Sequence, residues 1–146
     1  MVKVVTEYSN GNLDFIQRTL DILERNKDEK YNVTLLINCC IGLLVVPKEA
    51  FFDNIKTMAL SQFNIDTAHL TAKNKDKNLQ SIVRRMRNGI THFHLDFESR
   101  DNEINKITIK DRPSPDREFD FEITFEIKEL KDFLLSLTSY LIKHHT

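Results

Sequence analysis

Two side chains near the middle of the chain, Arg87 and His92, are of the types that can break RNA without a metal ion; four residues separate them. Cleavage through the 2′-hydroxyl of RNA needs a base that works near neutral pH and a cation against the oxygens of the phosphorane. Histidine, which titrates near about pH 6.5, suits the first role, and arginine, always charged and fork-shaped, suits the second. Because chance alone can supply this spacing, it needs support from its surroundings.

The pair lies at the end of a predicted amphipathic helix. Asn78 is typical of a helix N-cap, and the apolar residues after it recur at helical spacing. They form one stripe, made up of Leu79, Ile82, Val83, Met86 and Ile90. Arg84, Arg85 and Asn88 fall outside this stripe, and Arg87 lies on its flank.

The positive charge of the chain is concentrated around this helix. The sequence has 21 basic and 22 acidic residues, and its formal net charge of -1 by itself argues against a nucleic-acid partner. Residues 69–92, however, contain six basic residues and one acidic residue. Such a local cluster suits a phosphate backbone, so we expect RNA-binding roles for Lys73, Lys75, Lys77, Arg84 and Arg85.

Apolar periodicity predicts helices on both sides of this segment. Patterns of 3.6 residues cover three stretches, 12–26, 31–46 and 128–143. A further short helix is expected within 48–60, because Pro47 disfavours helix before it and suits the first turn of a new one. Residues 61–77 follow no period, and we interpret them as a mobile connector.

After Gly89 the apolar period changes from 3.6 to 2, which indicates strands. Alternating apolar residues predict them at 93–97, 107–109 and 119–127. The expected fold is therefore mainly α, a helical bundle with a small antiparallel insert of two or three strands before the last helix.

Length and composition favour a single domain, 1–146, in the cytoplasm. Only 3 of the 146 residues are glycine, which disfavours Gly-rich nucleotide folds. No stretch approaches the ~18–20 apolar residues of a membrane span. The adjacent Cys39 and Cys40 lie in an apolar run and indicate buried, free thiols in a reducing compartment.

The motif Arg87-Asn88-Gly89-Ile90-Thr91-His92 resembles that of the HEPN superfamily, small helical domains that include many metal-independent ribonucleases. Their signature is an arginine, a polar residue that is often asparagine, a few further positions and a histidine. The likeness extends to 18–24, 31–38 and 43–49, which resemble a small bacterial branch known from plasmids. With the final helix, the resemblance covers most of the chain.

The resemblance implies a function and a division of labour among the motif residues. Arg87 would stabilise the phosphorane, His92 would move protons and Asn88 would orient the phosphate, with no metal or cofactor. The products would be a 2′,3′-cyclic phosphate and a 5′-hydroxyl. Relatives of this kind imply a toxin or defence role, RNA as substrate, and an antitoxin or regulatory partner.

The spacing of the motif raises a geometric difficulty. On one continuous helix, Arg87 and His92 would point about 140° apart. Either Gly89 ends the helix and folds His92 back, or a second copy of the chain completes the site. The HEPN nucleases resemble the second solution, which implies a homodimer with a composite active site.

Other interpretations of the same residues remain open. The segment could belong to a non-catalytic HEPN-like module that binds RNA or nucleotides or regulates another protein, with His92 a bystander. The arginines could be a solvated helix face. On a strand, His92, His94 and Asp96 would share a side and could hold a metal, although the sequence departs from the metallo-β-lactamase-type run that it resembles. His94 is either a second proton carrier or a plain polar-face residue.

Overall fold

The computed structural model describes residues 7–8, 11–28, 30–45, 52, 55 and 58–144; of residues 12 and 45 it describes the backbone alone. These parts of the chain contain four α-helices and four β-strands. Helices α1 and α2 come first, α3 precedes three of the strands, and α4 follows them. Their bounds are Gly11–Arg25 (α1), Asn32–Cys40 (α2), Leu70–Ala72 (β1), Leu79–Thr91 (α3), Leu95–Arg100 (β2), Glu103–Asp111 (β3), Phe121–Glu126 (β4) and Ile127–His144 (α4).

The four strands form one antiparallel sheet in the order β1-β4-β3-β2. In the centre, Ile109 of β3 lies opposite both Leu95 of β2 and Ile123 of β4. Strand β1 closes the other edge by pairing Leu70 with Ile123. This register places the apolar residues of all four strands on the same side of the sheet.

The helices cover the apolar side of the sheet and form the core with it. Helix α3 packs against β3, and α4 packs against β3 and β4. Buried residues from both layers form one cluster, which includes Ile16, Leu36, Met86, Ile109 and Phe133. The opposite side of the sheet is polar, where the hydroxyls of Thr108 and Thr124 share a hydrogen bond of 2.8 Å. One side buried and one side solvated explains the strict alternation in β4.

The expected helical bundle with a two- or three-stranded insert is wrong. Among the described residues the sheet has four strands, and it forms a layer of its own against the helices, so the fold is mixed α/β. The missing strand is β1, which has three residues, of which only Leu70 is buried. A segment of three residues is too short to show an apolar period. Its pairing with β4 is a long-range contact that the local sequence does not show.

The interpretation of residues 61–77 as a mobile connector is also wrong. Besides β1, this segment has 3₁₀ turns at Leu60–Phe63, Thr67–His69 and Asn74–Asp76. Phe63 and Ile65 are buried in the main core. The segment is ordered by these few anchors rather than by a regular apolar period.

The remaining helix predictions hold with small changes at the ends. Helices α1 and α4 match the predicted stretches within one residue at each end. The predicted helix at 31–46 becomes α2 followed by a π-helical turn at Ile41–Val45. Most of the short helix expected within 48–60 lies outside the described residues.

The apolar helix α2 carries the two cysteines, both free and buried. Burial raises the pKa of the Cys39 thiol, and burial together with the neighbouring Cys39 raises that of Cys40. Both thiols therefore stay protonated and pack as small apolar groups. In the described part of the chain, no helix combines the length and the apolar content that crossing a membrane requires.

Candidate functional site

Helix α3 presents the motif because its apolar stripe fixes its rotation. All five residues of the predicted stripe, Leu79, Ile82, Val83, Met86 and Ile90, are buried. Asn78 caps the helix as predicted, since its side chain accepts a hydrogen bond of 3.0 Å from the backbone N–H of Ser81. The opposite side, with Arg84 and Asn88, faces solvent.

The C-terminal end of α3 turns back sharply at Phe93. The backbone N–H of His94 donates to the carbonyl of Gly89 at 2.8 Å, and that of Phe93 donates to the carbonyl of Ile90 at 3.1 Å. Phe93 has a φ of 54°, in the left-handed region. These are the two bonds of a Schellman motif, with a phenylalanine where glycine is usual. The reversal brings His92 and His94 to the same end of the helix.

Gly89 does not end the helix, so the first of the two alternatives for the motif, in which Gly89 folds His92 back, is wrong. It is helical and buried, and helix α3 continues to Thr91. A Cβ atom at Gly89 would lie 2.5 Å from the carbonyl oxygen of Lys110 and 2.7 Å from a side-chain carbon of Ile109. Glycine is therefore needed for the close approach of α3 to β3, and the chain reversal occurs four residues later.

A cleft of about 280 Å³ opens at this end of α3. Its walls come from the helix end, the first residue before β2, the last residue of β3 and the loop that follows β3. The lining residues are Asn88, His92, His94, Asp111, Arg112, Pro113, Ser114 and Pro115. The fold thus brings together three of the residues singled out in the sequence, Asn88, His92 and His94.

The two histidines lie side by side in the cleft. Their ring centroids are 5.7 Å apart with 27° between the planes. His92 is exposed, whereas His94 is half-buried, and its Nδ1 atom has no hydrogen-bond partner among the described residues. The two rings therefore have different access to solvent, which suits two groups that handle protons in different roles.

Asn88 is held by a buried carboxylate. Its Nδ2 atom donates to Oδ2 of Asp111 at 3.4 Å, and Asp111 is only 4% exposed. Because Asp111 also accepts from Arg85, its position is fixed from two sides. This contact orients the Asn88 amide at the edge of the cleft.

Arg87 does not line the cleft formed by the described residues of one chain. It is half-buried, and its guanidinium carbon lies 5.6 Å from the centroid of the Phe52 ring. The motif's arginine and histidine therefore lie on different sides of the helix end, as their spacing predicts.

Arg85 lies in the interior and not on the RNA-facing surface. It is 7% exposed and forms ion pairs with three carboxylates, those of Asp76, Asp111 and Asp120. Burial alone would lower the pKa of Arg85, but the hydrogen bonds and charges of Asp120 and Asp111 outweigh it and raise the pKa. In place of the expected RNA-binding role, Arg85 has a structural one. The sequence alone did not show it, because these carboxylates reach Arg85 through long-range contacts.

The same carboxylates occupy part of the remaining basic cluster. Arg84 is half-exposed and contacts Asp76 at 3.4 Å, and Lys73 contacts Asp120 at 3.6 Å. Burial would raise the pKa of Asp120, but Arg85 and Lys73 lower it below its usual value. Lys75 and Lys77 are exposed beside the 3₁₀ turn. None of these four side chains lines the cleft.

The alternative metal set does not assemble in the described residues. Asp96 forms an ion pair with Lys110 at 2.8 Å on the polar side of the sheet. The described ranges contain no group of three or more histidine, cysteine, aspartate or glutamate residues placed to hold a metal ion.

Arg112 is a charged member of the cleft that sequence reasoning missed, as is Asp111. Arg112 follows β3 directly and comes twenty residues after His92, with no motif around it apart from the prolines of its loop. The pairing of β3 with β2 brings it to the histidines, since the N–H of Lys110 donates to the carbonyl of His94 at 3.0 Å. No sequence period could have shown this proximity.

Comparison with known proteins gives one result of substance. A family model described as HEPN pEK499 p136 matches residues 5–146, nearly the whole chain. No curated protein and no solved structure gives a significant match. The family match confirms the resemblance drawn from the motif and from the first helices.

Proposed function

The chain belongs to the HEPN pEK499 p136 family, and on that premise we propose that it is a metal-independent endoribonuclease. The observation that carries the proposal is the cleft at the end of α3. It holds two histidines, an asparagine fixed by Asp111, and one arginine, which is the set of groups that a phosphodiester cleavage needs.

The cleft residues fit the two proton transfers of the reaction. The base, His92, removes the proton of the 2′-hydroxyl as the bond between the 2′-oxygen and phosphorus forms. The bond from phosphorus to the 5′-oxygen breaks, and His94 supplies the proton that the leaving oxygen takes up. The products are a 2′,3′-cyclic phosphate and a 5′-hydroxyl. Asn88 donates to a phosphate oxygen and keeps the phosphodiester in line.

A second copy of the chain would supply the arginine of the motif. Because Arg87 does not line its own chain's cleft, we assign it to the cleft of a partner protomer, where it would stabilise the negative charge of the phosphorane. The site would then be composite and the functional unit a homodimer.

An apolar groove next to the motif supports this assembly. It measures about 360 Å³ and lies between α2, the end of α3 and the hairpin of β2 and β3. Four of its apolar residues are exposed, Ile41, Phe93, Phe97 and Ile104, and Phe93 is 65% exposed. Large exposed apolar side chains in one place are typical of an interaction surface. Since Phe93 adjoins His92 in the chain, a copy bound here would reach the cleft.

The test is cleavage of single-stranded RNA by the purified chain in EDTA. We expect cleavage by the wild type and loss of at least about a hundredfold in rate for His92→Ala, in keeping with the usual contribution of a general base. His69→Ala, which changes an exposed histidine in a 3₁₀ turn, is the matched control and should cleave normally. Cleavage that persists in His92→Ala, or that stops in EDTA, contradicts the mechanism.

A biological test addresses the toxin or defence role. We expect that overproduction in a bacterium slows growth and that Arg87→Ala relieves the effect. RNA binding without turnover, and no effect on growth, would instead favour a non-catalytic RNA- or nucleotide-binding module. The position of Arg87 outside its own cleft is the observation in favour of this second candidate.

A further inference from the structure

An exposed phenylalanine beside the cleft has no role in the core. Phe119 lies in the loop before β4 and is 40% exposed. The sequence pattern placed it in the strand, but β4 begins at Phe121, where pairing with Asp111 starts. At this exposure, part of the ring is accessible to a ligand.

Phe119 is surrounded by cations and by one of the cleft histidines. The guanidinium carbon of Arg112 lies over the ring, 4.7 Å from its centroid, and Nζ of Lys110 also lies over it, at 4.8 Å. The ring of His94 meets it edge to face, with centroids 5.1 Å apart. Phe119 is thus continuous with the cleft through Arg112 and His94, both of which line it.

The charge of Arg112 is available for a ligand. Among the described residues, no carboxylate lies within salt-bridge distance of it. Its charge also acts on Asp116, whose pKa is lowered mainly by a hydrogen bond from Ser114 and less by the charge of Arg112. The carboxylate of the cleft itself, Asp111, is already paired with Arg85. Arg112 therefore brings to the mouth of the cleft a positive charge that no carboxylate of the described residues pairs with.

We propose that Phe119 and Arg112 form a nucleotide-binding subsite for single-stranded RNA. An unpaired base stacks on the Phe119 ring, and Arg112 binds the phosphate next to that base and delivers it to His92 and His94. An aromatic face flanked by cations is how proteins hold single strands, because every base has a face to stack while the phosphates need positive charge. A base held in a duplex cannot reach the ring, so the subsite selects unpaired RNA.

This inference rests on the proposed function, since it names how the substrate of that cleft is held. It is tested with a short RNA carrying 2′-O-methyl groups, which cannot be cleaved, so that affinity is measured apart from turnover. We expect Phe119→Leu, which keeps an apolar side chain but removes the aromatic face, to weaken binding by about tenfold. Arg112→Gln should also weaken binding. It should reduce the slope of the logarithm of the binding constant against the logarithm of salt concentration by about the contribution of one phosphate contact.

Matched controls separate the subsite from general damage. Tyr8→Leu removes another exposed aromatic ring, which has its own arginine neighbour, Arg18, at 4.5 Å, and Arg100→Gln removes an exposed arginine at the end of β2. Neither residue lines the cleft, and both variants should bind like the wild type. Thermal unfolding of each variant verifies that it is folded.

An abasic scan of the same RNA identifies stacking as the cause. Removing one base at the position that faces Phe119 should weaken binding to the wild type about tenfold but change binding to Phe119→Leu little, because the stacking partner is already gone. If Phe119→Leu and Arg112→Gln bind like the wild type, or if no single base matters more to the wild type than to Phe119→Leu, the subsite is refuted. Absence of binding by the wild type also refutes it.

The outcomes separate the two proposals. Cleavage of RNA by the wild type together with unaltered binding by both variants rejects the subsite and leaves the ribonuclease intact. Weaker binding by both variants without any cleavage keeps the subsite and rejects the ribonuclease.

Discussion

Three arginines within four positions of α3 have three different environments. Arg84 is half-exposed, Arg85 is buried among carboxylates, and Arg87 lies against Phe52. Their order along the helix explains the difference, because successive residues point about 100° apart. A basic run that reads as one surface in the sequence is therefore divided between the surface and the interior.

The buried arginine gives a prediction about stability. Replacing Arg85 by leucine leaves the charges of Asp76 and Asp111 buried without their main cation. Such unpaired buried charges destabilise the fold by more than the ion pairs stabilise it in the native protein. We expect Arg85→Leu to lower the free energy of unfolding by about 3–5 kcal/mol. Denaturation in urea, followed by circular dichroism, measures the loss.

Arg84→Gln is the control for that substitution. The Arg84 side chain contacts the same Asp76 but is largely in solvent, so its removal should cost less than about 1 kcal/mol. Equal losses for the two variants would show that the buried cluster is not what holds this part of the fold.

Sequence reasoning identified the part of the cleft that is local in the chain. Asn88, His92 and His94 are neighbours in the sequence and also in the cleft. Arg112 and Asp111 escaped it because the register of β3 with β2 brings them there, and no residue type in their loop indicates that register. The interior position of Arg85 was missed for the same reason.

At the scale of elements, the site depends on how closely α3 approaches β3. Gly89 allows the helix backbone to contact the carbonyl of Lys110, which sets the depth at which the helix ends and the cleft begins. The Schellman turn at Phe93 then positions the histidines.

The close approach can be tested by adding one methyl group. Gly89→Ala favours helix by itself, but its Cβ would meet backbone at 2.5 Å, which no side-chain rotation can relieve. We expect a net loss of about 1–3 kcal/mol in the free energy of unfolding, together with weaker RNA cleavage. Gly11→Ala, at a glycine with open space around it, should change stability by less than about 0.5 kcal/mol.

The comparison of Gly89→Ala with Gly11→Ala uses the thermal midpoint of unfolding and the cleavage rate. If Gly89→Ala is as stable and as active as the wild type, the packing of α3 against β3 does not depend on the absence of a side chain at Gly89.

The sequence predicted most elements and misjudged how they combine. The apolar stripe of α3 and the alternation in β4 are strong local signals, and both elements form where expected. Strand β1 depends on an edge contact with β4, and three residues cannot carry a period. Without this edge strand, the sequence predicts a sheet smaller than the one that forms. The predicted strands therefore look like an insert among the helices.

At the scale of the whole molecule, the proposed composite site requires two chains. The cleft contains His92 without Arg87, and the exposed apolar groove with Phe93 lies next to it. A two-fold assembly would pair each cleft with the arginine of the other protomer, giving two equivalent sites per dimer.

Mixing two inactive variants tests the composite site. In a mixed dimer of Arg87→Ala and His92→Ala, one of the two sites regains both residues if they come from different chains. After subunit exchange we expect about one quarter of the wild-type rate, because about half of the dimers are mixed and each has one intact site. No activity in the mixture, with dimers present, would place both residues in the same chain's site.

The most direct measurement uses a DNA strand that contains a single ribonucleotide, incubated with the purified chain in EDTA. Because the proposed mechanism attacks phosphorus with the 2′-hydroxyl, the strand has one cleavable position. The proposed mechanism predicts one cut, on the 3′ side of that ribonucleotide, with a 2′,3′-cyclic phosphate on one product and a 5′-hydroxyl on the other, and none with His92→Ala. Cuts at deoxynucleotides, a 5′-phosphate product, or an equal rate with His92→Ala would contradict it.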